Sequence, residues 1–248
     1  METRYATTAI LILMGGKLMI GVGKLKKDYP VECAKLIQLC GLDETGILPQ
    51  YLNRIYTITE EKWEENVHRL MKYNVRIKYL MIGEAAPRTL DGEINYLYNN
   101  FQGSWCTAIE EGLLLSQQVP SGVEQKLVEL AQRQFLLVNT MPFSVNYNNP
   151  NNYRNKIAYK ELVKLCAHNY LRDKLFDPRL QWDSNVKIAL GVKKNAEAMM
   201  ESFPMGFSLP NGQKVNFSLD FLVTNAANYP NAGRIRDVLG LNFNNLIL

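Results

Sequence analysis

VRIKYLMIGEAAPR, residues 75–88, runs from an apolar segment onto a glycine, a glutamate and a proline. Its first part, VRIKYLMIG, has the length and the β-branched and aromatic content of a strand, and its apolar end is nearly continuous. A strand apolar on both faces belongs inside a parallel sheet covered by helices. In such sheets the crevice beyond the C-terminal strand ends is where ligands bind. Glu84 falls at that position. It is either a solvated loop carboxylate or a group placed to do chemistry.

Outward from this strand, apolar runs alternate with helical periodicity. FLLVN (135–139), VKIALG (186–191) and LDFLVTN (219–225) read as further strands. Helices are expected around 106–116, 122–134 and 156–172, the last with Ile157, Leu162, Leu165 and Cys166 toward the core, and in KKNAEAMMESF (193–203). Pro210-Asn211-Gly212 reads as a hairpin tip and SVNYNNPNNYRN (144–155) as a polar loop. Short apolar strands separated by helices predict an α/β fold: three layers, α/β/α, around a central, mostly parallel sheet spanning residues 75–248. Residues 1–74 read as a mainly helical lead-in packed on that core. TEEKWEENVHRLMKY (59–73) starts in capping style and repeats Trp63, Val67, Leu70 and Met71 at helical spacing. ATTAILILMGGKLMIGVG (6–23) reads as two short apolar segments about Gly15-Gly16. Gly16 and Gly21 have phosphate-loop spacing, but no Lys-Ser or Lys-Thr follows, so a plain turn is the reading.

The 248 residues are 47% hydrophobic, enough for a substantial core, and the formal net charge is +4. That mild basicity is compatible with nucleic acid without establishing it. Lys24, Lys26 and Lys27 read as a solvated basic run. Cys33, Cys40, Cys106 and Cys166 form no C-x-x-C pair, and His68 and His168 are the only histidines. Neither a zinc site nor another metal is written here, and no cofactor is implied. The longest early apolar run, 6–14, is shorter than the ~20 residues a membrane span needs. A cytoplasmic protein that does not enter the membrane is expected.

Three strand ends carry polar residues: Gly83-Glu84-Ala85-Ala86-Pro87, Asn139-Thr140, and the run from Asn225 to Arg234. The aromatic-rich NYLYNNFQGSW (95–105) lies between the first two. In this order GEAAP, LLVNT and NYPNAGR resemble the three motifs of the uracil-DNA glycosylase superfamily. Members carry GEAPG or GQDPY after one strand, LLLNT at the end of another, and an HPSP-like motif after the last. VKIALGVKKNAEAMMESF likewise resembles the family's LLWGxxAQK region. The resemblance covers about Val75 to Leu239.

It implies hydrolysis of a base–sugar bond in DNA, on a single strand or on a duplex with the target nucleotide flipped out. By motif position Glu84 positions water and stabilises the oxocarbenium-like sugar. Asn139 reads the O4 and N3–H edge of uracil with its amide. Trp105 or Phe101 stacks on the base, Gly83 and Ala85 line its pocket, and Arg234 and Lys193 contact phosphates. Two departures stand out. The first motif has an extra residue, and the third lacks its histidine. Asn228 or Asn225 takes the histidine's place, depending on which residue the motif is aligned on. An asparagine donates to a leaving base only as a neutral group. The expected activity is therefore a DNA N-glycosylase. The alternatives are a nucleic-acid-binding protein of the same fold that has lost the chemistry, and a hydrolase of another nucleoside or sugar.

Overall fold

The computed structural model describes residues 23–40, 47–86, 94–115, 122–143, 157–225 and 229–241, with the backbone alone for residues 40 and 47–51. The glycines at 15, 16 and 21, the loop at 144–155, Pro87 and Asn228 lie outside them.

Among the described residues, three helices precede the sheet: α1 (Lys24–Asp28), α2 (Pro30–Cys40) and α3 (Ile47–Lys72). Buried Asn53 of α3 accepts the backbone N–H groups of Lys24 and Leu25, both at 3.0 Å, and so satisfies donors that the start of α1 leaves unpaired. Leu52, Ile55, Tyr56, Trp63, Val67 and Leu70 of α3 are buried in one hydrophobic core shared with the sheet. Met71, expected inside, is 49% exposed, because the buried stripe has already turned away by that position. The helix stops where Asn74 takes a left-handed conformation (φ 49°). The N–H of Val75 bonds the carbonyl of Leu70 at 2.9 Å and that of Asn74 bonds Met71 at 3.0 Å, a Schellman ending.

The chain then enters β1 (Arg76–Gly83), which pairs in parallel with β2 (Phe135–Asn139) on one side and β3 (Gln181–Leu190) on the other, in the order β2-β1-β3. Ile77, Leu80, Met81 and Ile82 are all buried, as a central strand requires. Helices α4 (Leu97–Asn100), α5 (Ser104–Gly112) and α6 (Val123–Gln132) fill the β1–β2 connection. The β2–β3 connection holds α7 (Ile157–Cys166), a π-helical turn at Ala167–Leu171 and α8 (Arg172–Leu175). After β3 come α9 (Lys193–Ser202), a small hairpin of β4 (Phe207–Ser208) and β5 (Lys214–Val215) tipped by Gly212 at φ 84°, and α10 (Ala232–Leu239). The parallel sheet flanked by helices agrees with the α/β reading. No helix among the described residues is long and apolar enough to cross a membrane.

Two expectations are corrected. LDFLVTN does not form a strand. Leu219–Phe221 is a 3-10 turn whose start is capped by Ser218, and among the described residues isolated bridges follow, Leu190 with Leu222 in parallel and Thr224 with Pro230. The Ser218 side chain accepts the N–H of Asp220, which favours a turn over an extended run. In α7 the buried stripe is Tyr159, Leu162, Val163 and Cys166, while Ile157 is 78% exposed and Leu165 only half-buried.

Candidate functional site

From β1 the chain crosses to β2 on one side, and from β3 it moves to the Leu222 bridge on the other. The connections therefore diverge between the C-terminal ends of β1 and β3, the position at which open α/β sheets bind their ligands. Gly83 ends β1 and Gly191 follows β3. A Cβ placed on Gly191 would lie 3.5 Å from the Gly83 Cα and 3.3 Å from Cη2 of the Trp105 indole. Two glycines thus let the backbones approach, and the half-buried Trp105 from the start of α5 leans over the junction.

Asn139 is the register partner of Gly83. A Cβ on Gly83 would come within 2.5 Å of Asn139 Oδ1, so the amide lies directly against the glycine. Glu84, the next residue along from Gly83, is 9% exposed. The phenol of Tyr159, fully buried on α7, donates to Glu84 Oε1 at 2.5 Å. The backbone around Glu84 is held as well. The Glu84 carbonyl accepts the N–H of Met141 at 2.9 Å. The Gly83 carbonyl accepts the N–H and the hydroxyl of Thr140, both at 2.9 Å, and more weakly the Asn195 amide at 3.4 Å. Asn195, 1% exposed in the first turn of α9, also donates to Thr140 Oγ1 at 2.9 Å, while its own Oδ1 is buried without a hydrogen-bond partner. Glu84, Asn139 and Trp105 thus lie at the C-terminal ends of neighbouring parallel strands, Asn139 and Trp105 against the two glycines and the Glu84 carboxylate on the buried Tyr159 phenol, beside a buried polar relay.

The remaining expected residues fall as follows. Ala85 is half-buried beside Glu84. Phe101 is buried, 7% exposed, with the Lys126 ammonium 5.2 Å from its ring centroid, so that ring packs in the core and Trp105 is the aromatic at the strand ends. Asn225 lies two residues past Val223, whose N–H bonds the carbonyl of Leu190, and so it belongs to the same edge. Its Oδ1 accepts the N–H of Tyr229 at 3.0 Å. Arg234 is exposed, and one of its guanidinium nitrogens reaches the carbonyls of Leu222 and Asp220 at 3.3 and 3.5 Å. Lys193 is exposed at the start of α9.

Cys106 adjoins Trp105, but burial pushes its thiol up to about 12, which removes it as a nucleophile near neutral pH. No cluster of three metal-ligating side chains occurs among the described residues. Tyr159, Thr140 and Asn195 were not singled out from the sequence. For Tyr159 a signal existed: a tyrosine on the apolar stripe of a helix buries its ring, and its hydroxyl must then find a partner. Compared with known proteins, the chain matches no family model, no curated protein and no solved structure.

Proposed function

We propose that the chain is a uracil-DNA glycosylase-like protein that hydrolyses the N-glycosidic bond of a flipped-out uracil or damaged base in DNA. The supporting observation is that Asn139 stands in register against Gly83, the residue before Glu84, with the Trp105 indole against Gly191 at the end of the neighbouring strand. The flipped base stacks on the Trp105 indole, and the Asn139 amide offers a donor and an acceptor to its edge. The Glu84 carboxylate orients water and stabilises positive charge on the sugar as the base departs. Asn225 and Asn228 are the candidates for a neutral hydrogen bond to the leaving base, in place of the family's histidine. The lysine and arginine at the rim, Lys193 and Arg234, take the phosphates.

The test is release of free base from uracil-containing single-stranded DNA by the purified protein, with Glu84→Gln alongside. Release that falls at least about 100-fold in the variant supports the reading. No release by the parent chain, or equal release by both, overturns it.

A second reading keeps the fold and the DNA but not the chemistry. It is favoured by the first motif's extra residue and by the third motif, where Asn225 or Asn228 stands in place of a histidine. It predicts binding of single-stranded DNA that weakens steeply with salt, without bond cleavage. Binding that is insensitive to salt would remove it.

A further inference from the structure

We infer that Tyr159 is a positioning residue for the Glu84 carboxylate, an inference that builds on the glycosylase reading above. The backbone on both sides of the Glu84 side chain is already fixed by hydrogen bonds to the Gly83 and Glu84 carbonyls. What the backbone leaves undetermined is the side chain itself, three torsions that together let a carboxylate sweep several ångströms. The Tyr159 hydroxyl restricts that freedom. Its ring is fully buried on α7, a helix packed against α2 and α9, so the phenol cannot follow a wandering carboxylate. The bond to Oε1, 2.5 Å long, ties one carboxylate oxygen to the core. It thereby fixes the position of that oxygen. The bond spans 75 positions of sequence.

Being wholly buried, Tyr159 does not touch a bound nucleotide. It acts through Glu84, and catalytic groups must be held close to their working geometry to be effective. The connection also makes the crevice sensitive to the seating of α7, and through α7 to that of the N-terminal helix α2.

The test is Tyr159→Phe, which deletes one oxygen and keeps the ring. Two measurements are made on the full chain. The first is base release: kcat is expected to fall about 10- to 100-fold with KM unchanged, and Tyr159→Phe is expected to add nothing in a Glu84→Gln background. A residue that merely supports the fold would lower activity in both backgrounds or raise KM. The second needs no activity. Three-bond couplings of the Glu84 side chain, measured by NMR, are expected to report a single rotamer in the parent chain and averaging in Tyr159→Phe. Averaging in the variant of a protein that releases no base would uphold the positioning and defeat the glycosylase reading. A single unchanged rotamer, or unaltered kcat in an active protein, overturns the inference.

Discussion

Gly83→Ala separates what the crevice needs from what the fold needs. The added methyl carbon would sit 2.5 Å from Asn139 Oδ1, against the roughly 3.3 Å at which carbon and oxygen begin to rest comfortably. The amide must therefore retreat by about 0.8 Å. Its next neighbour, Cδ1 of Leu137, is at an ordinary 3.6 Å, so the backbone has no reason to move. Asn139 is half-buried and the clashing atom is the tip of its side chain. Bending it off its rotamer costs about 0.5–1.5 kcal/mol. Gly83 has no left-handed φ, so alanine also restricts the unfolded chain and returns about 0.4–1 kcal/mol. Net stability should change by about 1 kcal/mol or less, a melting shift of at most about 4 °C for a chain of this size. On the glycosylase reading, an Asn139 amide displaced by most of an ångström should instead cost about 100-fold in kcat/KM. Thermal melts and base-release kinetics on the same preparation make the comparison. A melting temperature lowered by more than about 10 °C would show that the strand ends, not the amide, absorb the methyl. Full activity would show that the placement of Asn139 does not matter.

Three further outcomes are expected. Thr140→Val removes the hydroxyl between Asn195 and Gly83 and leaves the buried Asn195 amide nitrogen with only its weak 3.4 Å bond to the Gly83 carbonyl. It should cost about 1–3 kcal/mol in urea unfolding, and an unchanged midpoint would refute the relay. Glu60→Gln strips the counter-charge from Lys174, which is 8% exposed, bonded to Glu60 Oε2 at 2.5 Å and lying 5.2 Å from the Trp63 ring centroid. A loss of about 3 kcal/mol is expected, and a loss under about 0.5 would mean that the ammonium finds water. Asp177 takes two hydrogen bonds from the Arg179 guanidinium, which also forks onto Glu64. That bonding holds the Asp177 carboxyl below the usual carboxylate range. A lowered folded-state pKa stabilises above about pH 4 and is lost as pH falls through it. The parent should exceed Asp177→Asn by about 1 kcal/mol or less near pH 7, and the gap should close toward pH 2. A gap that persists in acid would assign the effect to packing.

Along the chain, what is local was legible. The span 135–139 is the strand that its five residues announce, and 76–83 differs from the expected 75–83 by one residue. The helices at α5, α6 and α9 also lie where periodicity puts them, because a repeat of 3.6 or 2 is written in neighbouring residues. Where phase and not period was needed, the reading slipped. Ile157 and Leu165 have the composition of core residues, yet the stripe that α7 turns inward is Tyr159, Leu162, Val163 and Cys166. LDFLVTN has strand composition, but Ser218 bonds back to Asp220 and the run breaks into a turn and two bridges.

The sequence by itself determined that strands and helices alternate and that a carboxylate, an amide and an aromatic stand at their junctions, since backbone preference and apolar rhythm are short-range properties. Only the tertiary structure decided that Gly83 lies against Asn139, that Trp105 rather than Phe101 leans on the strand ends, and that Tyr159 and Asn195 reach the turn around Glu84 from positions 75 and 112 residues distant. The physical reason is that side chains far apart in sequence meet only once the sheet has set its order and register and the helices have closed over it. Nothing in the spacing of those residues along the chain encodes that closure.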